Sequence, residues 1–139
     1  MRPSKVRRLS MLRILIVDDH EMMRRGIRSV LESRDDIEVY EAENGKEAID
    51  KTHEIQPHLV ILDVSMPVLD GFSAAREIKR VFPQIPIIIF SLDRTETFAE
   101  VAKKIGVSAY LAKSDVGETL LKAVDAALNN EAFFVSPQS

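Results

Sequence analysis

Asp18, Asp19, Asp63, Ser91 and Lys113 are the residues of this 139-residue chain best placed to do chemistry, because each directly follows a short apolar run. Residues 12–17 lead into Asp18 and Asp19, and residues 58–62 lead into Asp63. Residues 85–90 lead into Ser91, and residues 108–112 into Lys113. In an open parallel sheet, ligands bind outside the carboxyl ends of the strands, near the point where strand order reverses. Three carboxylates, a hydroxyl and an ammonium on one such rim suit a phosphoryl group carried on an aspartate, with magnesium beside it. Magnesium prefers octahedral oxygen ligands and takes a few carboxylates plus phosphate oxygens and water. Asp18, Asp19 and Asp63 could supply the carboxylates. Without a cation, three such groups would repel and raise one another's pKa. A cation removes that repulsion and neutralises an incoming phosphoryl group. Asp63 is the nucleophile candidate, since carboxylates form acyl phosphates. Lys113 offers a point charge to the phosphoryl oxygens and Ser91 a hydroxyl hydrogen bond. Alone, an acidic pair reads as a solvated turn and a lone lysine as surface. Convergence at four strand ends carries the reading.

Helical patterns separate those strands. Residues 21–33 place Met22, Met23, Ile27, Val30 and Leu31 at helical spacing, and residues 37–42 read as a second strand. Asn44 is a natural N-cap for a helix through His53, which Pro57 follows. Leu59 to Leu62 is apolar without alternation, the mark of a strand covered on both faces. Asp70-Gly71 signals a turn before a helix over residues 72–82. A helix over 95–105 turns Phe98, Val101, Ala102 and Ile105 inward, with Gly106 as its C′ residue. A last helix spans 115–130, with Leu120, Leu121, Val124, Ala127 and Leu128 in period. Five β-α units result, and right-handed crossovers place helices on both faces of the sheet.

Composition narrows the classes. The length is that of one domain with a sizeable core. A formal charge of −3 gives no case for general nucleic-acid affinity. Cysteine is absent, which excludes disulfides and thiolate metal sites. No apolar run approaches the ~20 residues that cross a bilayer. The basic start precedes an apolar stretch that meets Asp18 too soon for an export signal. A cytoplasmic protein is expected.

The segments ILIVDDHEMMRRGI, LVILDVSMPVLDG, IIIFS and AYLAKS resemble the receiver domain of bacterial two-component response regulators over residues 12–130. The stretch from Asp63 through Met66-Pro67 to Asp70-Gly71, and its spacing to Ser91 and Lys113, carries the resemblance most specifically. DVSMPVLDG, GVSAYLAKSD and the late Phe-Phe are most similar to receivers with helix-turn-helix effectors. The resemblance implies a flavodoxin-like (βα)5 fold with five parallel strands in order 2-1-3-4-5. It implies a phosphorylation-dependent switch of a two-component system, magnesium-dependent and cytoplasmic, in which Asp63 accepts a phosphoryl group from a phosphohistidine. The donor would be a sensor histidine kinase or a histidine phosphotransfer protein. Asp18, Asp19 and Asp63, with the backbone carbonyl of Ser65, would hold the metal. Ser91 and Tyr110 would be the switch pair, and residues 95–130 the face that changes, by dimerisation or partner docking. Self-phosphorylation and slow self-dephosphorylation are expected, with no turnover of an external substrate. Neither nucleic acid nor membrane is an expected partner of this chain. Residues 1–10 would form a basic, disordered extension, 11–131 the receiver, and 132–139 a tail.

Three departures stand out. Ser114 follows Lys113 where receivers often carry proline after a cis bond; a cis bond before serine would cost ~3 kcal/mol, so trans is expected. Leu92 follows Ser91 where a small residue is common, and would narrow access to the phosphoryl group. A helix-turn-helix effector needs on the order of 60 further residues. The chain is thus either a stand-alone receiver or part of a longer regulator. Other readings fit less well. In aspartate-nucleophile phosphohydrolases a second Asp stands two residues after the first-strand nucleophile, and here His20 holds that position. A nucleotide-binding domain would carry a glycine-rich loop after the first strand, which is missing. A degenerate receiver that acts only through protein contacts is the remaining alternative, opposed by the complete residue set. His20 is expected in the rim loop, His53 and His58 in solvent, and Met22-Met23 in the core.

Overall fold

The computed structural model describes residues 11–64, 70–91, 96–115 and 117–134. The strands are β1 (Leu12–Val17), β2 (Ile37–Ala42), β3 (Leu59–Asp63), β4 (Ile87–Ser91), β5 (Ala109–Ala112) and β6 (Phe133–Phe134). The helices are α1 (Glu21–Leu31), α2 (Gly45–Ile55), α3 (Gly71–Val81), α4 (Glu96–Ile105) and α5 (Glu118–Leu128). All strand pairs are parallel, in the order β2-β1-β3-β4-β5-β6. The anticipated order 2-1-3-4-5 is present. Two phenylalanines assigned by sequence to the tail extend it at the β5 edge.

Alternation along the strands sorts the core into two layers. Leu15, Val17, Val60, Leu62, Ile87 and Ile89 face α2, α3 and α4, meeting Ala48, Ala74, Ala75, Ile78 and Ala102. Ile14, Ile16, Leu59, Ile61, Ile88 and Phe90 face α1 and α5, meeting Ile27, Leu31, Leu120, Ala123 and Val124. Each large side chain buried this way contributes about 1.5–3 kcal/mol. The small alanines let the helices approach the sheet closely. This is why the strands are apolar without alternation: both faces are covered.

Local chemistry sets the helix ends. Asn44 Oδ1 accepts from the Glu47 amide at 2.8 Å, and Asp70 Oδ1 from the Ser73 amide at 2.9 Å, each satisfying an orphan donor of a first turn. Gly106 closes α4 at φ +92°, as its C′ position requires. The last helix begins later than its apolar period suggests. Lys113–Asp115 form a 3₁₀ turn, in which Asp115 Oδ2 accepts from the Ala112 amide at 3.0 Å, and α5 starts only at Glu118. The Lys113–Ser114 bond is trans. Two side chains differ from expectation. Met22 is 78% exposed, because the buried stripe of α1 runs through Ile27 and Leu31, and only Met23 packs against the core. Phe98 is 39% exposed and lies edge-on to Phe72, with the smaller Ala102 filling the inward position.

Candidate functional site

Strand order reverses at β1, which has β2 on one side and β3 on the other. The carboxyl ends of β1 and β3 therefore border the crevice where doubly wound sheets bind ligands. Asp18 follows β1 and is buried, while the exposed Asp19 comes next. Asp63 ends β3 and is buried. Parallel register sets Asp63 beside Phe90 and Ser91 beside Ala112, so Ser91 and Lys113 end their strands at the level of the acidic group. Ser91 is buried there.

Lys113 links the carboxylates. Its Nζ lies 3.2 Å from Asp63 Oδ2 and 3.3 Å from Asp18 Oδ2, and its side chain is largely enclosed. One ammonium thus sits between two buried carboxylates. One ligand atom from each of Asp18, Asp19, His20 and Asp63 lies within 4.8 Å of the others. Three hard carboxylate donors this close suit a small divalent cation of the magnesium type.

His20 takes part more than its position in a rim loop suggests. Its Nδ1 is 3.2 Å from Asp18 Oδ1 and 3.0 Å from Asp19 Oδ1, and its amide donates to Asp18 Oδ1 at 2.8 Å. His53 is exposed but packs edge-on to Phe82 at 5.0 Å. His58 Nδ1 accepts the backbone N–H of Arg13 at 3.0 Å, and neither histidine is near the carboxylates that gather a metal. Tyr110 is buried on the face covered by α2, α3 and α4. Ser65 and Leu92 lie outside the described residues.

Two supports of the site escaped sequence reading. Arg24 Nη1 donates to the Asp18 carbonyl at 2.5 Å while its Nε donates to Glu41 at 2.7 Å. Arg28 Nε reaches the other Glu41 oxygen at 2.7 Å. Burial opposes the charged form of Glu41, but the hydrogen bonds from Arg24 and Arg28 outweigh it and hold the carboxyl below its ordinary value. The second support is Gly71. Its amide donates to the Val64 carbonyl at 3.2 Å, which seats the start of α3 on the backbone that follows Asp63. A partial signal for each was present: two consecutive arginines one turn past the acidic pair, and a glycine opening a helix.

Fold and pocket together define a class, a doubly wound parallel α/β domain whose switch point holds an acidic cluster bridged by a lysine. The family model described as the response regulator receiver domain matches residues 14–125, and the chain belongs to that family. It is 35% identical over 124 residues to the response regulator protein VraR of Staphylococcus saprophyticus, covering 88% of this chain and 59% of VraR. The chain thus spans about three fifths of the length of the VraR proteins it matches. Among solved structures, a LuxR-family two-component response regulator from Aurantimonas sp. superimposes with a TM-score of 0.85 at 33% identity, covering 93% of this chain and 92% of that one. The isolated receiver of RcsB from Salmonella enterica, in the presence of the phosphomimetic BeF3−, gives 0.83 at 26% identity, covering 91% and 95%. A LuxR-family neighbour agrees with the helix-turn-helix subfamily that the sequence resembles.

Proposed function

We propose that this chain is the phosphorylation-dependent switch of a two-component system, with Asp63 as the phosphoacceptor. The observation that supports it most is the Lys113 ammonium set between Asp63 and Asp18 at 3.2 and 3.3 Å. An Asp63 carboxylate oxygen attacks the phosphorus of a phosphohistidine on a sensor kinase or phosphotransfer protein. The new O–P bond forms as the N–P bond breaks, and the released imidazole takes up a proton. Transfer of this kind needs mainly positioning and charge neutralisation, which a pre-formed pocket provides. Lys113 compensates the charge arriving on Asp63. Asp18, Asp19 and Asp63 are the side chains that would hold magnesium, which supplies charge neutralisation for the phosphoryl oxygens when bound. Ser91 donates its hydroxyl to a phosphoryl oxygen, and its movement is read through Tyr110 in the neighbouring strand. The phosphoryl group biases an existing equilibrium between two conformations of the 95–130 face, through which the chain dimerises or docks a partner. The receiver carries the group on itself and turns over no external substrate.

A cytoplasmic location fits this role, and among the described residues no helix is long and apolar enough to cross a membrane. The reading is tested by treating the protein with acetyl phosphate and magnesium, reducing with borohydride, and mapping the modified peptide. Reduction at Asp63 is the expected result. A modified residue elsewhere would refute the assignment.

A further inference from the structure

Away from the strand ends, the chain has a second concavity with a different chemistry. α3 and α4 pack side by side. Between them lies an open groove of about 450 Å3, lined by Arg76 and Lys79 of α3 and by Val101, Lys104 and Ile105 of α4. Three of these residues are cations and none is an acid, in a chain whose formal charge is −3. Several cations elsewhere are paired with acids: Arg24 and Arg28 with Glu41, Arg34 with Asp36 and Asp125, and Arg80 with Glu77. Arg76 and Lys104 form no ion pair among the described residues. Among the described residues Lys79 donates only to a backbone carbonyl, that of Pro83, at 3.2 Å. Burial pushes its ammonium below the ordinary lysine pKa, as expected of a cation with no acid to compensate it.

The floor of the groove is apolar. Val101 and Ile105 stand one turn apart on α4, and Phe98 precedes them on the same face at 39% exposure. Phe98 reaches across to Phe72 of α3, with ring centroids 5.6 Å apart. An apolar line at i, i+3 and i+7 therefore runs beside three cations that form no ion pair among the described residues.

We infer that this groove docks an acidic amphipathic helix of a partner protein. Its apolar stripe lies on Phe98, Val101 and Ile105, and its carboxylates meet Arg76, Lys79 and Lys104. A hydrophobic channel between two helices accepts a third helix through anchors at helical spacing, and the cationic rim selects an acidic sequence. A small phosphate-bearing anion would use the cations but leave the apolar line uncovered. The inference goes beyond the phosphoryl-switch reading and does not depend on it.

The test uses the whole chain with no phosphodonor present, followed by amide NMR during titration with a short synthetic peptide bearing Leu on one helical face and Glu on the other. Shifts should gather around Arg76, Lys79, Val101, Lys104 and Ile105. The double variant Arg76→Glu, Lys104→Glu should weaken binding by about tenfold or more. A Gln-for-Glu peptide should weaken it as much, which keeps the test independent of any change in the variant's fold. Phe98→Ala should also lower affinity. No binding of the Glu peptide, equal binding of the Gln peptide, or shifts elsewhere would overturn the inference. Inorganic tripolyphosphate binding at these residues where the Glu peptide does not would overturn it in favour of a small-anion site.

Discussion

The bare Cα of Gly71 packs against the backbone of Asp63 so closely that a Cβ there would lie 2.1 Å from the Asp63 carbonyl oxygen and 2.7 Å from the Val64 Cα. Helix α3 starts at that contact, so its first turn is seated directly on the end of the strand that carries Asp63. The atoms a side chain would strike are backbone, which cannot rotate away. Gly71→Ala should therefore displace the end of β3, costing about 1–3 kcal/mol as an overpacked core site does. Urea unfolding should register that loss, and labelling by acetyl phosphate should slow with it. Unchanged stability and labelling would show that the contact is not constraining.

Lys113 stands between two buried carboxylates, so its removal takes away the ammonium that both of them share. Lys113→Ala should destabilise the metal-free protein by on the order of 3 kcal/mol, since it breaks a buried pair from one side. Magnesium should then restore more stability to the variant than to the parent, because a bound ion stabilises whichever folded state it favours more. Thermal unfolding with and without magnesium measures this. An equal magnesium-induced shift in both proteins would contradict it.

Arg24 ties the acidic end of β1 to β2 by holding the Asp18 carbonyl and Glu41 at once. Arg24→Met removes a donor from a half-buried site and should cost about 1–2 kcal/mol. Combined with Glu41→Gln, the losses should be less than additive, with a coupling of about 0.5–3 kcal/mol. A double-mutant cycle in urea checks this, and strict additivity would show that the two act independently.

His58 gives a pH dependence. Its pKa is lowered from 6.5, by burial first and by the nearby Arg13 second, and its Nδ1 accepts a backbone N–H, which requires the neutral ring. The folded state thus binds its proton at lower pH than the unfolded state does. This contribution is present above the unfolded value and is lost as pH falls from about 6.5 through the folded one. Urea midpoints at about pH 7.5 and 5.5 should differ more in the parent than in His58→Asn. An equal difference would remove His58 from the balance.

The fold was legible because β1, β3 and β4 are largely apolar on both faces, as covered parallel strands are, and alternate with helical periods. The candidate site residues were legible because each stands at or just after the end of a strand. Asp18, Asp63 and Lys113 need only strand ends and parallel register to meet, and sequence supplies both. What was hidden depends on distances between elements. Nothing local tells that Arg24 reaches Glu41 across 17 positions, or that Gly71 lies against Asp63. Met22 and Phe98 were misplaced because a helical period allows neighbouring stripes, and smaller residues won the inward positions. The late start of α5 escaped because the turn at Lys113–Asp115 shares its polar composition with a helix N-terminus.

The most direct test is the intact mass of the protein after incubation with acetyl phosphate or phosphoramidate, with and without magnesium, beside Asp63→Asn. The account predicts a gain of one phosphoryl group, about 80 Da, the mass that phosphoryl transfer adds to an acceptor. That gain should depend on magnesium and vanish in Asp63→Asn. No gain in the folded parent protein, or an equal gain in Asp63→Asn, would contradict it.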